Sequence, residues 1–189
     1  MKLIEDKIMQ DSVIINNDII KVDSFLNHQI DCSLMEALAE DCIKFFEGSE
    51  KITKVLTIET SGIAVAYPVA NKLGVPLVFA KKSKSAIVGN DVYETEIKSF
   101  TRNIVSKVTV SNRFLKNDDV VLIVDDFLAE GNAGLGLLDL CAQAGAKVAG
   151  FMTAIEKGFQ PGRKKLEEKG VKVYSGAIIK EFKDNKPVF

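Results

Sequence analysis

The chain has 189 residues, 47% of them apolar and 27% charged, with a formal net charge of −1 and a pI near 5.9; these are globular values with room for one sizeable core. There is no positive surplus to hold a polyanion, so nucleic acid is not an expected partner, and no apolar run reaches the roughly 18 residues that span a bilayer. The N-terminus, MKLIEDKIMQD, carries acids where a secretory signal needs an apolar segment, and the expected location is cytoplasmic.

In chain order, Met1–Ser12 sets Leu3, Ile4, Lys7 and Ile8 at helical spacing, predicting a short amphipathic helix that covers core. Val13–Phe25 reads as two short strands around an Asn16-Asn17-Asp18 turn, followed by the irregular polar stretch Asn27–Asp31. Either Asp31 or Ser33 caps a helix over Leu34–Phe46, which Gly48 ends. Ile52–Ile58 is a buried-strand candidate that ends in Glu59-Thr60-Ser61-Gly62, a carboxylate and a small-residue turn. A helix over Ile63–Leu73 stops at Gly74, and Val75–Ala80 is a third strand. The alternation of helix and strand predicts a parallel α/β sheet with right-handed crossovers.

Residues 82–98 interrupt this rhythm with a polar excursion of lysines and Gly89-Asn90-Asp91, flanked by the alternating stretches Tyr93–Phe100 and Ile104–Val110. A connection this long between central strands is expected to be a lid. Val120–Val124 is the next strand, Gly134–Ala144 its helix with Gly145 as C-cap, and Val148–Ile155 the strand after that. The turn-rich Glu156–Arg163 leads to a helix over Lys164–Lys169, and Val171–Ile179 closes the sheet. The organisation expected is one domain, 1–189, with a central mostly parallel sheet flanked by helices, a small hood of terminal segments (13–31 on the N-terminal side) and the lid.

The densest chemical signal is VVLIVDDFLAEGNA, Val120 to Ala133. Five apolar residues suit a strand buried on both faces, Asp125 and Asp126 end the run where the strand should leave the core, and a small-residue loop, Ala129-Glu130-Gly131-Asn132-Ala133, leads into a helix. Backbone amides at a helix N-terminus accept phosphate, and carboxylates accept sugar hydroxyls or magnesium. Neither a P-loop nor a dinucleotide fingerprint is present. Ligands of open parallel sheets bind beyond the C-terminal strand ends, so Glu59–Gly62, Lys81–Lys84, Asp125–Ala133 and Glu156–Arg163 should converge. Cys32, Cys42 and Cys141, an odd set without C-x-x-C spacing, read as buried or half-buried thiols, and the lone His28 excludes two-imidazole schemes.

A hydrophobic strand, Asp-Asp, then A-x-G-x-A before a helix resembles the phosphoribosyl-diphosphate signature of the type I phosphoribosyltransferases. VDSFLNHQID (Val22–Asp31) and IEKGFQPGR (Ile155–Arg163) extend the resemblance to the purine-salvage members over essentially the whole chain. The loop departs from the family in one place: Ala133 stands where a threonine commonly meets the 5′-phosphate, which leaves more of that work to backbone amides. The resemblance implies magnesium-dependent transfer of phosphoribose from its diphosphate to xanthine by a homodimer. Asp125 and Asp126 would serve the ribose and magnesium, residues 129–133 the 5′-phosphate, and Thr60, Ser61, Gly62 and Lys81 the diphosphate. Lys81 is otherwise part of a solvated basic loop. A hypoxanthine or guanine acceptor is the rival within the class, and a non-catalytic sensor of phosphoribosyl diphosphate the rival outside it.

By the same resemblance the purine lies between the early polar stretch and Lys157, touching Ile20 and Asn27. Xanthine presents a carbonyl acceptor at C2 where guanine presents an amino donor. Lys157 and Asn27 both offer donors and so favour the oxypurine. Alternatively Asn27 caps a turn and Lys157 is solvated. Phe159 either stacks on the base or, the preferred reading, is an ordinary core aromatic.

Overall fold

The computed structural model describes residues 1–82, 91–99 and 104–189. Helix α1 (Lys2–Asp11) buries Ile4 and Ile8, and the Met1 amine donates to the Gly176 carbonyl at 2.5 Å. Strands β1 (Val13–Ile15) and β2 (Ile19–Lys21) form the expected hairpin, its turn carried by Asn16 and Asn17 at φ of +54° and +50°, a region asparagine tolerates better than most residues. The second strand stops short of the expected Phe25. Neighbouring residues of a strand face opposite sides, whereas Phe25 and Leu26 are both buried, and a π-helical turn over Asp23–Asn27 turns both inward. The Asp31 carboxylate then accepts from the Leu34 N–H at 3.1 Å and caps α2 (Cys32–Phe45).

The sheet alternates with helices as its apolar runs require. Strand β3 (Lys54–Ile58) leads to α3 (Gly62–Leu73), closed by Gly74 at φ +67°, and then to β4 (Leu77–Ala80). Next come the antiparallel pair β5 (Val92–Ser99) and β6 (Ile104–Ser111), then β7 (Val120–Leu128), α4 (Asn132–Ala144), β8 (Lys147–Lys157), α5 (Gly162–Glu167) and β9 (Val173–Ile179). A hairpin of β10 (Glu181–Lys183) and β11 (Lys186–Val188), absent from the element-by-element expectation, follows. Of the expected lid, residues 83–90 lie outside the described residues, whereas 92–98 belong to the regular strand β5.

The five-stranded sheet has the order β4-β3-β7-β8-β9, with every pairing parallel. On one face Leu122, Val124 and Met152 pack with α1, α2 and α3; on the other Val121, Ile123 and Phe151 pack with α4, α5 and the β5–β6 pair. Both faces being covered, β7 carries the continuous apolar run of a buried parallel strand. Cys42 and Cys141 are buried, and burial pushes each thiol up to about 12, but Cys32 is exposed, contrary to expectation, because it opens the first turn of α2. No helix among the described residues is long and apolar enough to cross a membrane.

The Asp31 cap yields a direct test. Asp31→Ala should cost about 1 kcal/mol, read as a lower urea midpoint with an unchanged slope.

Candidate active site

The chain moves outward from β3 to β4 on one side and returns to β7 on the other, so the strand order reverses between β3 and β7. Side-chain and loop mass cannot fill the gap above such a reversal, and a crevice opens there. It measures about 630 Å³ and is lined by Glu59–Gly62, by Asp125–Gly134 and by Lys82, with Ile97, Lys98 and Val108 of the β5–β6 pair on its far side. The expected diphosphate turn, acid pair and phosphate loop therefore share one cleft. Lys81 does not line it. Lys81 instead forms a two-way backbone bridge with Thr109 (both 2.9 Å) and places its ammonium 5.9 Å from the Phe79 ring centroid. Its neighbour Lys82 faces the cleft because residues in extended chain alternate sides, and the Glu59 carboxylate accepts from the Lys82 N–H at 2.6 Å.

Two helix N-termini face this space. Gly131, at φ +82°, is the N-cap of α4 and Ser61 that of α3, and neither supplies a side-chain cap. The uncapped first-turn amides and the positive end of each helix dipole form an anion cradle. Glycine is obligatory at the two contacts that hold the cradle in place. A Cβ on Gly62 would lie 2.3 Å from Thr57 Oγ1 and 3.0 Å from Asp125 Oδ1. A Cβ on Gly162 would lie 2.3 Å from the Ala129 carbonyl oxygen, to which the Gly162 N–H donates at 2.9 Å. The Glu156–Arg163 stretch thus supports the phosphate loop from behind and does not line the cleft itself. Arg163 clamps the buried Glu156 with three N–H contacts of 2.6–3.2 Å, and Lys165 donates to the carbonyl and carboxylate of Glu130. Asn132 Nδ2 donates to the Lys98 carbonyl at 3.0 Å, tying the loop to β5.

The acid pair lies inside β7. The expectation that the strand ends before it is corrected: pairing with β8 continues through Asp125↔Thr153 to Leu128↔Glu156. The ladder persists because Phe127 and Leu128 resume the apolar pattern, and Leu128 is buried. Asp125 is only 4% exposed. Its Oδ1 accepts from the Asp126 N–H at 3.0 Å, and Thr153 Oγ1 donates to the Asp126 carbonyl at 3.0 Å. Burial, followed by the adjacent Asp126 charge, pushes the Asp125 carboxyl well above the usual range; burial likewise raises Asp126, and the Lys82 charge opposes both shifts. Thr57 Oγ1 next to them is buried with no hydrogen-bond partner among the described residues. The acid end of the cleft is thus rich in oxygen acceptors, with Lys82 the cation that acts on the pair.

The expected base contacts sit to one side of the cleft. Ile20 is buried on β2, Asn27 is exposed at the end of the π-helical turn, and Lys157 ends β8 with its Nζ donating to the Asp18 carbonyl at 2.8 Å. Burial lowers the Lys157 ammonium's pKa. None of the three lines the cleft, but Phe127 lines it and also packs on the apolar cluster that contains Ile20. Lys82 and Phe127 fall within the two strand-end stretches expected to converge, Lys81–Lys84 and Asp125–Ala133, but neither is given a role of its own there; four consecutive residues, Asp125 to Leu128, line the cleft. Phe159 is no core aromatic: it is 46% exposed and meets Phe182 edge-on, with centroids 5.6 Å apart.

Burial of the pair has a measurable cost without ligand or divalent metal. A folded-state pKa above the unfolded value, about 3.9, destabilises the fold once pH rises past that value. Asp125→Asn should therefore raise the melting temperature at pH 8, by roughly 2–4 °C for each kcal/mol recovered. The gain should vanish as pH falls toward 4, which calorimetry at the two pH values checks.

A family model described as a phosphoribosyl transferase domain matches residues 21–186. The xanthine phosphoribosyltransferase of Streptococcus agalactiae is 50% identical over 100% of this chain and 97% of its own length. That of Clostridium novyi is 47% identical over 100% of this chain and 99% of its own. Among solved structures, the APRTase from Giardia lamblia complexed with 9-deazaadenine superposes with a TM-score of 0.77 at 24% identity, covering 93% of this chain and 97% of that one. Adenine phosphoribosyltransferase from Saccharomyces cerevisiae gives 0.74 at 18%, covering 94% and 100%, so these two likenesses are of fold. An acid pair and two uncapped helix ends in one cleft, on a chain matched along nearly its whole length, place this protein in the phosphoribosyl transferase family.

Proposed function

We propose that the chain transfers the phosphoribosyl group of 5-phosphoribosyl 1-diphosphate to xanthine, yielding xanthosine 5′-monophosphate and diphosphate in purine salvage. The observation that carries this reading is the full-length identity to proteins named xanthine phosphoribosyltransferase, joined to the cleft's distribution of charge. As the bond from C1 to the diphosphate breaks, the ribose acquires positive and the leaving group negative charge. Asp125 and Asp126 would stabilise the first, and the α3 amides of the Thr60–Gly62 turn with Lys82 the second, a reading supported by their sharing one cleft. The loop Ala129–Ala133, which leads into the uncapped start of α4, receives the 5′-phosphate through backbone N–H groups.

An all-oxygen donor set, two carboxylates beside the orphaned Thr57 hydroxyl, suits a hard divalent cation such as magnesium better than a soft one. Asp125 and Asp126 would hold it together with substrate oxygens, and its charge would neutralise the diphosphate. Ile20, Asn27 and Lys157 are proposed to meet the base. An ammonium offers only donors and the asparagine amide a second set, so the C2 carbonyl of xanthine is accepted, while a guanine amino group would face donors. We extend the proposal to a cytoplasmic homodimer, for which light scattering of the purified protein is the measure.

Initial rates with xanthine, guanine and hypoxanthine at fixed phosphoribosyl diphosphate and magnesium test the base assignment. Xanthine should lead in kcat/KM by at least about tenfold, the order expected of one donor left unpaired in a closed site; a guanine preference would overturn the roles of Asn27 and Lys157. Asp126→Asn should lower kcat by roughly a hundredfold or more while leaving the KM for xanthine within about threefold, because its interaction strengthens only as ribose charge develops.

A further inference from the structure

The C-terminal hairpin has no part in the cleft, yet it stands against Lys157. The ammonium lies between two hairpins: Nζ donates to the Asp18 carbonyl in the β1–β2 turn at 2.8 Å and lies 5.8 Å from the ring centroid of Phe182 on β10. Phe159 braces that ring edge-on at an interplanar angle of 72°. The hairpins are themselves joined tip to tip. The Asn17 N–H donates to Asn185 Oδ1 at 3.1 Å, and the Asn185 N–H donates to Asn17 Oδ1 at 2.7 Å. Both tips use the same left-handed backbone, with Asp184 and Asn185 at φ of +51° and +54°.

An ammonium has three donors and no acceptor. The Asp18 carbonyl takes one, and the face of Phe182 satisfies the cation without neutralising it. Among the described residues Lys157 makes no ion pair. A carboxylate at position 182 would fix the ammonium by charge and withdraw it from a ligand, whereas a ring holds it in place and leaves a donor and the full charge available. We propose that Phe182 is a positioning residue for base selection, which, with the Asn17–Asn185 latch, holds Lys157 as a donor toward the C2 carbonyl of an oxypurine. This rests on the reading that Lys157 meets the base.

The test is steady-state kinetics of the full-length enzyme with xanthine varied at saturating phosphoribosyl diphosphate. Phe182→Leu, which keeps an apolar side chain and removes the ring face, should raise the KM for xanthine about three- to tenfold. Both kcat and the KM for phosphoribosyl diphosphate should stay within about twofold, and Phe182→Tyr should restore the wild-type value. The double variant Asn17→Gly/Asn185→Gly, at home at positive φ and exposed, should shift the xanthine KM in the same direction, and it carries the test alone if Phe182→Leu fails to fold. In a Lys157→Ala background, Phe182→Leu should have no further effect; a persisting effect would mean a merely structural role and overturn the proposal. If Lys157→Ala leaves the xanthine KM unchanged, the base assignment itself fails. If Lys157→Ala raises it while Phe182→Leu and the glycine pair do not, only the positioning role is lost.

Discussion

Two adjacent carboxylates on the central strand, Asp125 buried and Asp126 half-buried, are the constraint on which the rest of the site depends. Asp125 and Asp126 lie within a ladder that continues past them to Leu128, so the backbone cannot swing them into solvent. Burial raises the proton affinity of both, and the Asp126 charge raises that of Asp125 further. The surroundings answer with positive potential that is fixed but incomplete: Lys82 and the open ends of α3 and α4. A ligand that brings a cation and hydroxyl groups to the acids, and phosphates to the helix ends, removes both deficits at once.

The geometry that keeps the deficits facing each other is made by close backbone contacts. Gly62 lets the first turn of α3 settle onto Thr57 and Asp125, and Gly162 lets the turn after β8 pass under Ala129. The second contact has a wider meaning. The segment that supports the phosphate loop begins at Lys157 and is anchored by the buried Glu156–Arg163 clamp, so one short turn connects the phosphate cradle to the residue assigned to the base. Both ends of that turn are fixed to the sheet.

Much of this was legible in the sequence, for physical reasons. A run such as Val120–Val124 has no polar face, which only a covered parallel strand allows, and the small-residue loop behind it has few other uses. The Asn16-Asn17 turn, the Asp31 cap and the Gly74 and Gly145 stops are local and were readable locally. What was missed depends on tertiary cover. Nothing local says that β7 carries its acids into the ladder, or that Phe25 and Leu26 are buried together. Which of Lys81 and Lys82 faces the cleft is decided by the bridge to Thr109 on a distant strand. Phe159 looked like core because it is aromatic; the residue that partners it lies in β10, where charged neighbours and Pro187 mask a hairpin whose Asp184-Asn185 tip carries the same turn signal as Asn16-Asn17.

The clasp between the first and last hairpins also orders events during synthesis. Asn17 and Asn185 are 168 positions apart, and such contacts close late because a long loop must be ordered before they form. A nascent chain holds the described lining of the cleft, which falls between residues 58 and 134, well before Phe182 has been made. The cleft can therefore assemble before the clasp that holds Lys157 has closed.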